Sequence, residues 1–358
     1  MKKKPTLPTK KLKRAFKRRQ ATEERVSEAF ANVPRITNDT VAEHREEVLA
    51  GARKYIYPLQ HSKHRVVRIS AALFTSVVIL FFAYVGLSLY RFQSTSGFIY
   101  DVTRVLPFPV AKAGDSWVSY ESYLFELKRN MHYYTTQQNT DFKSKDGQTQ
   151  LKLLKRQAMA SVVQDAYVKQ LAKANKVSVS NKEVNEQVTL VRSQNRLGSN
   201  DRVFRDVLNE FWGWSVTDFQ RELRQQLLTQ KVAAKLDTAT MARATTTLSQ
   251  LQGGADFAAT ATQNSDDLAT KAAGGQYPQP ISRNDHNIAP QLAAALFALK
   301  PGQISGIINT GYTLEIVKVN SATATTVTAS HIQFAIKGVN TFVAPLQAKE
   351  HSKQYIHF

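Results

Sequence analysis

An uncharged apolar stretch near the N-terminus constrains this chain more than any other feature. Residues 69–90, ISAALFTSVVILFFAYVGLSLY, contain no charged side chain over 22 positions. A helix of this length extends about 33 Å, which matches the hydrocarbon core of a bilayer. The stretch is too long, and begins too far along the chain, for a cleaved signal peptide. It therefore predicts a single transmembrane helix, with the rest of the chain divided between its two sides.

The charges on the two sides of the stretch predict its orientation. Residues 1–68 carry 18 Lys and Arg against 7 Asp and Glu, whereas Arg91 is the only charge in the ten residues that follow the stretch. Because basic flanks stay on the cytoplasmic side, we expect a cytoplasmic N-terminus. The C-terminal bulk is then extracytoplasmic, in a single-pass protein of the cell membrane.

The basic tail, residues 1–68, is predicted to be disordered to residue 35 and then to form one helix that Pro58 ends. Its simplest role is a topology signal on a solvated arm. Anionic lipid headgroups are the other partner that fits, because each Lys or Arg near such a surface contributes about 1 kcal/mol. Nucleic acid also attracts basic tails, but nothing in this segment is specific enough to favour it.

The composition excludes several kinds of chemistry. The 358 residues include no cysteine, so a thiol nucleophile, a disulfide framework and Cys-ligated metal sites are excluded. The helical region that follows the membrane stretch also lacks histidine and metal-ligand spacing from residue 151 to 236. We therefore expect no cofactor and no metal.

The outer part divides into a linker, a helical domain and an α+β domain. Residues 91–109 contain two prolines and are predicted to be a linker. Apolar residues recur at three- and four-residue steps within 110–237, with Ser180 and Glu183 as a capping box and Thr217 as a later cap. Residues 238–358 instead combine short helices, a Pro-Gly turn and strands, which is typical of an α+β domain.

The helical domain resembles a known chaperone domain. The segments LLKRQAMASVVQDAYVKQLAKANKVSVSNKEVNEQV and WSVTDFQRELRQQLLTQKV are similar to the N-terminal domain of SurA- and PrsA-type foldases. PVAKAGDSWVSYESYLFEL resembles the strand and first helix that open that domain. The resemblance covers residues 110–237 and implies a cradle that binds unfolded or newly exported polypeptides.

The α+β domain resembles a parvulin-type, PpiC-like peptidyl-prolyl isomerase. The matching blocks are GADFAATATQNSDD, AAGGQYP and IAPQLAAALFALKPGQISGIINTGYTLEIVKV. The family's opening strand, which carries A-S-H-I, is missing ahead of Met241, and TASHIQFAI occurs instead at 328–336. Either a second repeat is truncated or the domain is circularly permuted. We favour permutation, because the 22 residues after Ile336 are too few for a second domain.

The resemblance also implies a set of site residues. The family's catalytic positions correspond to His331, Asp267 and Thr313. The second histidine of the family aligns with Thr313 from one side and with Glu315 from the other, and neither is a histidine. Ile288 and Leu292 occupy the positions of the Met and Phe that line the proline pocket, without the aromatic wall.

The chemistry required of such a site is modest. Rotation about an X–Pro bond crosses a barrier of roughly 18–20 kcal/mol, and a site that binds the twisted amide best lowers it without a nucleophile. The sequence thus predicts a membrane-anchored foldase that binds unfolded chains and isomerises X–Pro bonds. A non-enzymatic holdase with a degenerate parvulin domain is the alternative that the missing histidine favours. An envelope scaffold whose basic tail binds nucleic acid or a partner is the third hypothesis.

Overall fold

The computed structural model describes residues 9–31, 37–56, 63–193, 200–283 and 285–358. The chain forms two compact units, Met1–Ala83 and Tyr84–Phe358. The predicted order of one apolar helix, a helical domain and an α+β domain is confirmed.

The described residues of the first unit form α1 (Thr9–Ala31), α2 (Asn38–Ile56) and α3 (Lys63–Gly86), and the last residues of α3 belong to the second unit. The prediction of disorder to residue 35 and of one helix in the tail is wrong for the described residues, which include both α1 and α2. The physical reason is that α1 is rich in Ala, Glu, Lys, Arg and Gln, which all favour helix without tertiary packing. The predicted helix end at Pro58 lies outside the described residues.

One helix of the described residues, His64–Arg91, is long and apolar enough to cross a membrane, as judged from its length and composition. Its last turn, Leu87–Arg91, is π-helical, and the Tyr120 hydroxyl donates to the Leu89 carbonyl at 2.6 Å. Val85 and Leu89 are completely buried in the core of the second unit. The C-terminal end of the predicted span 69–90, which lies within this helix, therefore also contributes to the core of the second unit.

The predicted linker 91–109 is also wrong, because it contains a packed helix. Residues Gly97–Val105 form α4, and the Ser96 hydroxyl caps it by accepting from the Ile99 amide. Ile99 and Thr103 are buried on its inner side, so the segment belongs to the core of the second unit.

The helical module is built from a hairpin and five longer helices. Its elements are β1 (Pro109–Ala113), β2 (Ser116–Ser119), α5 (Tyr120–Gln137), α6 (Lys145–Ala174), α7 (Asn181–Ser193), α8 (Asp201–Trp212) and α9 (Val216–Leu236). The predicted capping box is present, since the Ser180 hydroxyl accepts from the Glu183 amide and the Glu183 carboxylate accepts from the Ser180 amide. Thr217, however, does not cap α9, because Ser215, two residues earlier, is the N-cap and forms a capping box with Asp218.

The C-terminal residues return to the helical module. After the α+β part, α14 (Asn340–Lys349) packs on α6, and β7 (Ser352–Gln354) pairs antiparallel with β1. Val343 and Ile356 are buried in the same core as the helices. The predicted boundaries 110–237 and 238–358 therefore separate residues that share one core, because the pairing of β7 with β1 joins the C-terminal residues to the start of the helical module.

The α+β part places a four-stranded antiparallel sheet between helices. Its elements are α10 (Thr238–Gln252), α11 (Phe257–Asn264), α12 (Leu268–Lys271), β3 (Ile281–Ser282), α13 (Pro290–Leu296), β4 (Ile308–Asn309), β5 (Thr313–Ala322) and β6 (Thr326–Ala335). The strand order is β3-β6-β5-β4, so β6 lies inside the sheet. One apolar cluster joins α10 and α11 to one face of β5 and β6, and a second joins α13 to the other face.

Candidate active site

His331 lies in the middle of β6 and is 4% exposed. Its amide donates to the Gly275 carbonyl at 2.8 Å. Gly275 has φ +77°, and a Cβ there would lie 2.1 Å from the His331 carbonyl oxygen. Only glycine therefore allows the Gly274–Gly275 turn to approach the strand this closely. The turn brings the Asp267 loop against the histidine.

Both ring nitrogens of His331 meet acceptors. Nδ1 lies 2.9 Å from Glu315 Oε2, and Nε2 lies 3.0 Å from Asp267 Oδ2 and 2.8 Å from Thr270 Oγ1. The ring is thus clamped between a carboxylate on β5 and a carboxylate that precedes α12. Such a pair of hydrogen bonds fixes the orientation of the imidazole.

Glu315, and not Thr313, contacts the histidine. Sequence alignment left these two residues as candidates for the position of the second histidine. Thr313 is one hydrogen bond further away, since its hydroxyl donates to Glu315 Oε1 at 2.8 Å and meets Thr310 Oγ1 at 2.7 Å. The polar network therefore continues from Asp267 through His331 and Glu315 to Thr313.

Asp267 is more accessible than His331 and Glu315, with a side chain that is 22% exposed against 5% for each of the other two. Its carboxylate accepts from the Thr270 hydroxyl at 2.5 Å and from the Ala269 amide at 3.1 Å. Burial raises the pKa of Asp267, but the hydrogen bonds from Thr270, Ala269 and His331 outweigh it and hold the pKa below its usual range. The site thus presents a fixed negative charge near its surface.

Tyr277 is a site residue that sequence reasoning missed. Its ring stacks on His331 with the centroids 4.3 Å apart and an angle of 25° between the rings. It also packs against the apolar cluster of α13, and burial raises its pKa. The AAGGQYP block contained the signal, because a glycine pair that approaches β6 places the following residues beside it.

The two predicted pocket residues, Ile288 and Leu292, are buried in the core. Ile288 and Leu292 are 8% and 4% exposed, and both belong to the apolar cluster under α13. That cluster includes Val327 and Ala329, which alternate along β6 with His331 and so share its face of the sheet. The structure therefore places Ile288 and Leu292 on the same face of the sheet as His331, but as core residues and not as the wall of an open proline pocket.

An open cavity lies elsewhere, in the helical module. It has a volume of about 580 Å³, and its lining mixes apolar side chains such as Trp117, Phe125 and Leu228 with charged ones such as Asp165 and Glu222. Among the described residues, no cluster of three or more His, Asp or Glu could hold a metal ion. The chemistry available is therefore that of carboxylates, an imidazole and apolar contact.

Comparison with known families assigns both parts of the chain. Residues 59–233 match the family model of a SurA-like N-terminal domain, and residues 227–321 match that of a PPIC-type PPIASE domain. The chain is built as a SurA/PrsA-type foldase. The second match ends before β6, so the strand that carries His331 lies outside the matched residues of this foldase.

Other comparisons add little to the two family matches. No curated protein matches the foldase. One solved structure that is similar to it is that of the foldase protein PrsA from Streptococcus pneumoniae str. Canada MDR_19A, with 17% identity over 66% of this chain and 85% of the other. Its TM-score is 0.19, so the two chains do not superpose as wholes.

Proposed function

We propose that this foldase is anchored in the cell membrane by the helix His64–Arg91, binds unfolded exported polypeptides on the outer side, and isomerises their X–Pro bonds. The helical module does the binding, through the mixed apolar and charged cavity beneath β2. The basic tail supports a cytoplasmic N-terminus. In this arrangement unfolded chains meet the binding surface where they leave the membrane.

The observation that carries the isomerase proposal is the fixed carboxylate of Asp267. Amide resonance places partial negative charge on the carbonyl oxygen and gives the C–N bond its double-bond character. An anion held near that oxygen disfavours the charge-separated form, so it stabilises the twisted amide relative to the planar one. His331 and Thr270 hold the Asp267 carboxylate in place, and Glu315 orients His331 from behind.

The proposal also holds that the domain containing this site is a circularly permuted parvulin. The support is that β6 pairs with β3 on one side and with β5 on the other, although it follows the matched residues. Ile332 in the middle of β6 is completely buried. We expect Ile332→Ala to lower the free energy of unfolding by about 2–4 kcal/mol. A remnant of a second repeat would tolerate that change.

A holdase without isomerase activity is the second candidate. It is favoured by the closed core around Ile288 and Leu292 and by the Tyr277 ring that covers one face of His331. Aggregation of an unfolded client and proline-limited refolding of a second client separate the two functions, both measured with the full chain in lipid nanodiscs. The proposal expects suppression of the first and acceleration of the second. Suppression without acceleration leaves the holdase.

A further inference from the structure

Two cavities of the second unit adjoin each other. The cavity of about 580 Å³ lies beneath β2, and a second one of about 270 Å³ lies between α9 and the segments around Gly311 and Lys337. Asp165, Glu222 and Gln225 line both. The two cavities are therefore neighbouring parts of one groove, which we call the Asp165 groove, with these three side chains as their common wall.

Asp165 is a partly buried carboxylate that lacks a direct cationic partner. It accepts a hydrogen bond from Gln225 Nε2 at 3.0 Å. Among the residues that the structure describes, no Lys or Arg lies within ion-pair distance of it, and Lys169 and Arg129 act on it only from further away. Burial raises the pKa of Asp165 to about 6, so the fold holds a carboxylate where its charged form is disfavoured.

Two guanidinium groups near the groove are already engaged. Arg129 contacts both Glu126 and Glu222, so one guanidinium serves two of the carboxylates near Asp165. Arg221 forms two hydrogen bonds with the Glu121 carboxylate, at 2.5 and 2.9 Å. Lys169 and Arg224 also line the first cavity and Lys337 the second, but none of them lies within ion-pair distance of Asp165, so its carboxylate can still pair with a cation of the ligand.

Each end of the groove carries an exposed aromatic side chain. Trp117 lines only the first cavity and Tyr312 only the second, and both are 64% exposed. Tyr312 is held by a hydrogen bond from Gln226 Nε2 to its hydroxyl at 3.2 Å, and Trp117 stacks on Tyr355. Exposed rings of this kind are typical of surfaces that bind apolar side chains.

We propose that the Asp165 groove binds an extended stretch of unfolded polypeptide, with a lysine or arginine side chain paired to Asp165 and apolar or aromatic side chains on Trp117 and Tyr312. The inference rests on the proposed polypeptide-binding function and names the class of segment that is bound. The proposed preference for basic segments is the opposite of the preference that the net charge of the chain would produce. That charge is +20 and by itself attracts acidic peptides. A preference for basic segments therefore has to come from the groove.

The test uses three fluorescein-labelled peptides of roughly ten residues that differ only at their central residue, which is Lys, Gln or Glu between Phe and Leu flanks. Their affinities are measured by fluorescence anisotropy with the full chain in nanodiscs of zwitterionic lipid. We expect the Lys peptide to bind about tenfold more tightly than the Glu peptide. Asp165→Asn reduces that preference to about twofold or less, because the amide keeps the oxygen that accepts from Gln225 but loses the charge.

Asp206→Asn, on the exposed side of α8, is the matched control and keeps the full preference. Trp117→Ala and Tyr312→Ala weaken all three peptides alike. Equal binding of the Lys and Glu peptides, or a preference that survives Asp165→Asn in a folded variant, overturns the inference. If the chain still suppresses aggregation in that case, the proposed function stands. If it binds no peptide and suppresses no aggregation, the proposed function falls as well.

Discussion

Glu315 Oε2 lies 2.9 Å from Nδ1 of His331, so a carboxylate holds the histidine from one of the two positions, Thr313 and Glu315, that the parvulin resemblance offers for a second histidine. The two residues are on neighbouring strands, and both side chains are about 5% exposed. A hydrogen bond between an imidazole and a carboxylate is stronger than one between two imidazoles, since one partner is an anion. The Glu315 carboxylate therefore keeps His331 oriented towards Asp267.

The Glu315–His331 contact predicts a difference between two substitutions. Glu315→Ala leaves Nδ1 of His331 buried without its partner, and we expect the free energy of unfolding to fall by about 1–3 kcal/mol. Glu315→Gln keeps an acceptor of the same shape, so its loss is smaller. Urea unfolding of both variants, followed by fluorescence, measures the difference. Equal stability of wild type and Glu315→Ala would show that the contact contributes nothing to the fold.

Asp165 predicts a pH-dependent stability difference. Its pKa is raised from 3.8 to about 6 in the folded protein by burial, with Glu222 adding to the rise and Lys169, Gln225 and Arg129 opposing it. The folded state thus holds the proton more tightly, so wild type loses stability as pH rises from about 4 to 6. Asp165→Asn removes this loss and should be more stable by about 1–3 kcal/mol at pH 7.5.

At pH 4 the difference between Asp165→Asn and wild type should vanish, because the carboxyl group is then protonated in the native protein. Unfolding midpoints across the pH range measure it. Asp206→Asn serves again as the control. A constant advantage of Asp165→Asn at all pH values would mean that packing, and not charge, causes it.

The lack of cysteine makes the proposed topology directly testable. Single cysteines are introduced at exposed positions, with Ser27→Cys in α1 and Ser249→Cys in α10. A membrane-impermeant maleimide applied to intact cells or spheroplasts should label Ser249→Cys alone, and lysis should make Ser27→Cys reactive. Labelling of Ser27→Cys before lysis would reverse the orientation.

The return of the C-terminus predicts that its last residues stabilise the helical module. Ile356 is 2% exposed in the core that also contains Tyr120 and Tyr167. We expect Ile356→Ala to lower the free energy of unfolding by about 2–4 kcal/mol. His357→Ala should have little effect, since the side chain is exposed and its carbonyl still accepts from Gln93. If the C-terminal residues did not pack in this core, both variants would have the same free energy of unfolding as wild type.

Local signals in the sequence predicted local structure well. Ser180 and Glu183 identified the start of α7, and Gly213 ends α8 with φ +66° between two tryptophans, because caps and turns depend on a few neighbouring residues. His331 and Asp267 were identified from a family resemblance, and the structure brings them together.

Features that depend on distant residues could not be predicted in the same way. Thr313 and Glu315 lie on the same face of β5, and the choice between them depends on the register of β5 and β6, because His331 pairs with Val317, which is two residues from Glu315 and four from Thr313. The pairing of β7 with β1 joins residues at opposite ends of the second unit. Val85 and Leu89 are as apolar as the residues before them in the same helix, so composition alone could not show that they pack in a protein core.

Exchange spectroscopy on a short peptide with one X–Pro bond measures the isomerase activity without any coupled folding reaction. With the full chain in nanodiscs we predict measurable acceleration of cis–trans exchange, reduced about tenfold or more, or about 1.4 kcal/mol in barrier, by Asp267→Asn. The control Asp206→Asn keeps the wild-type rate. Exchange at the uncatalysed rate, by a chain that still suppresses aggregation, would contradict the isomerase assignment of Asp267 and His331.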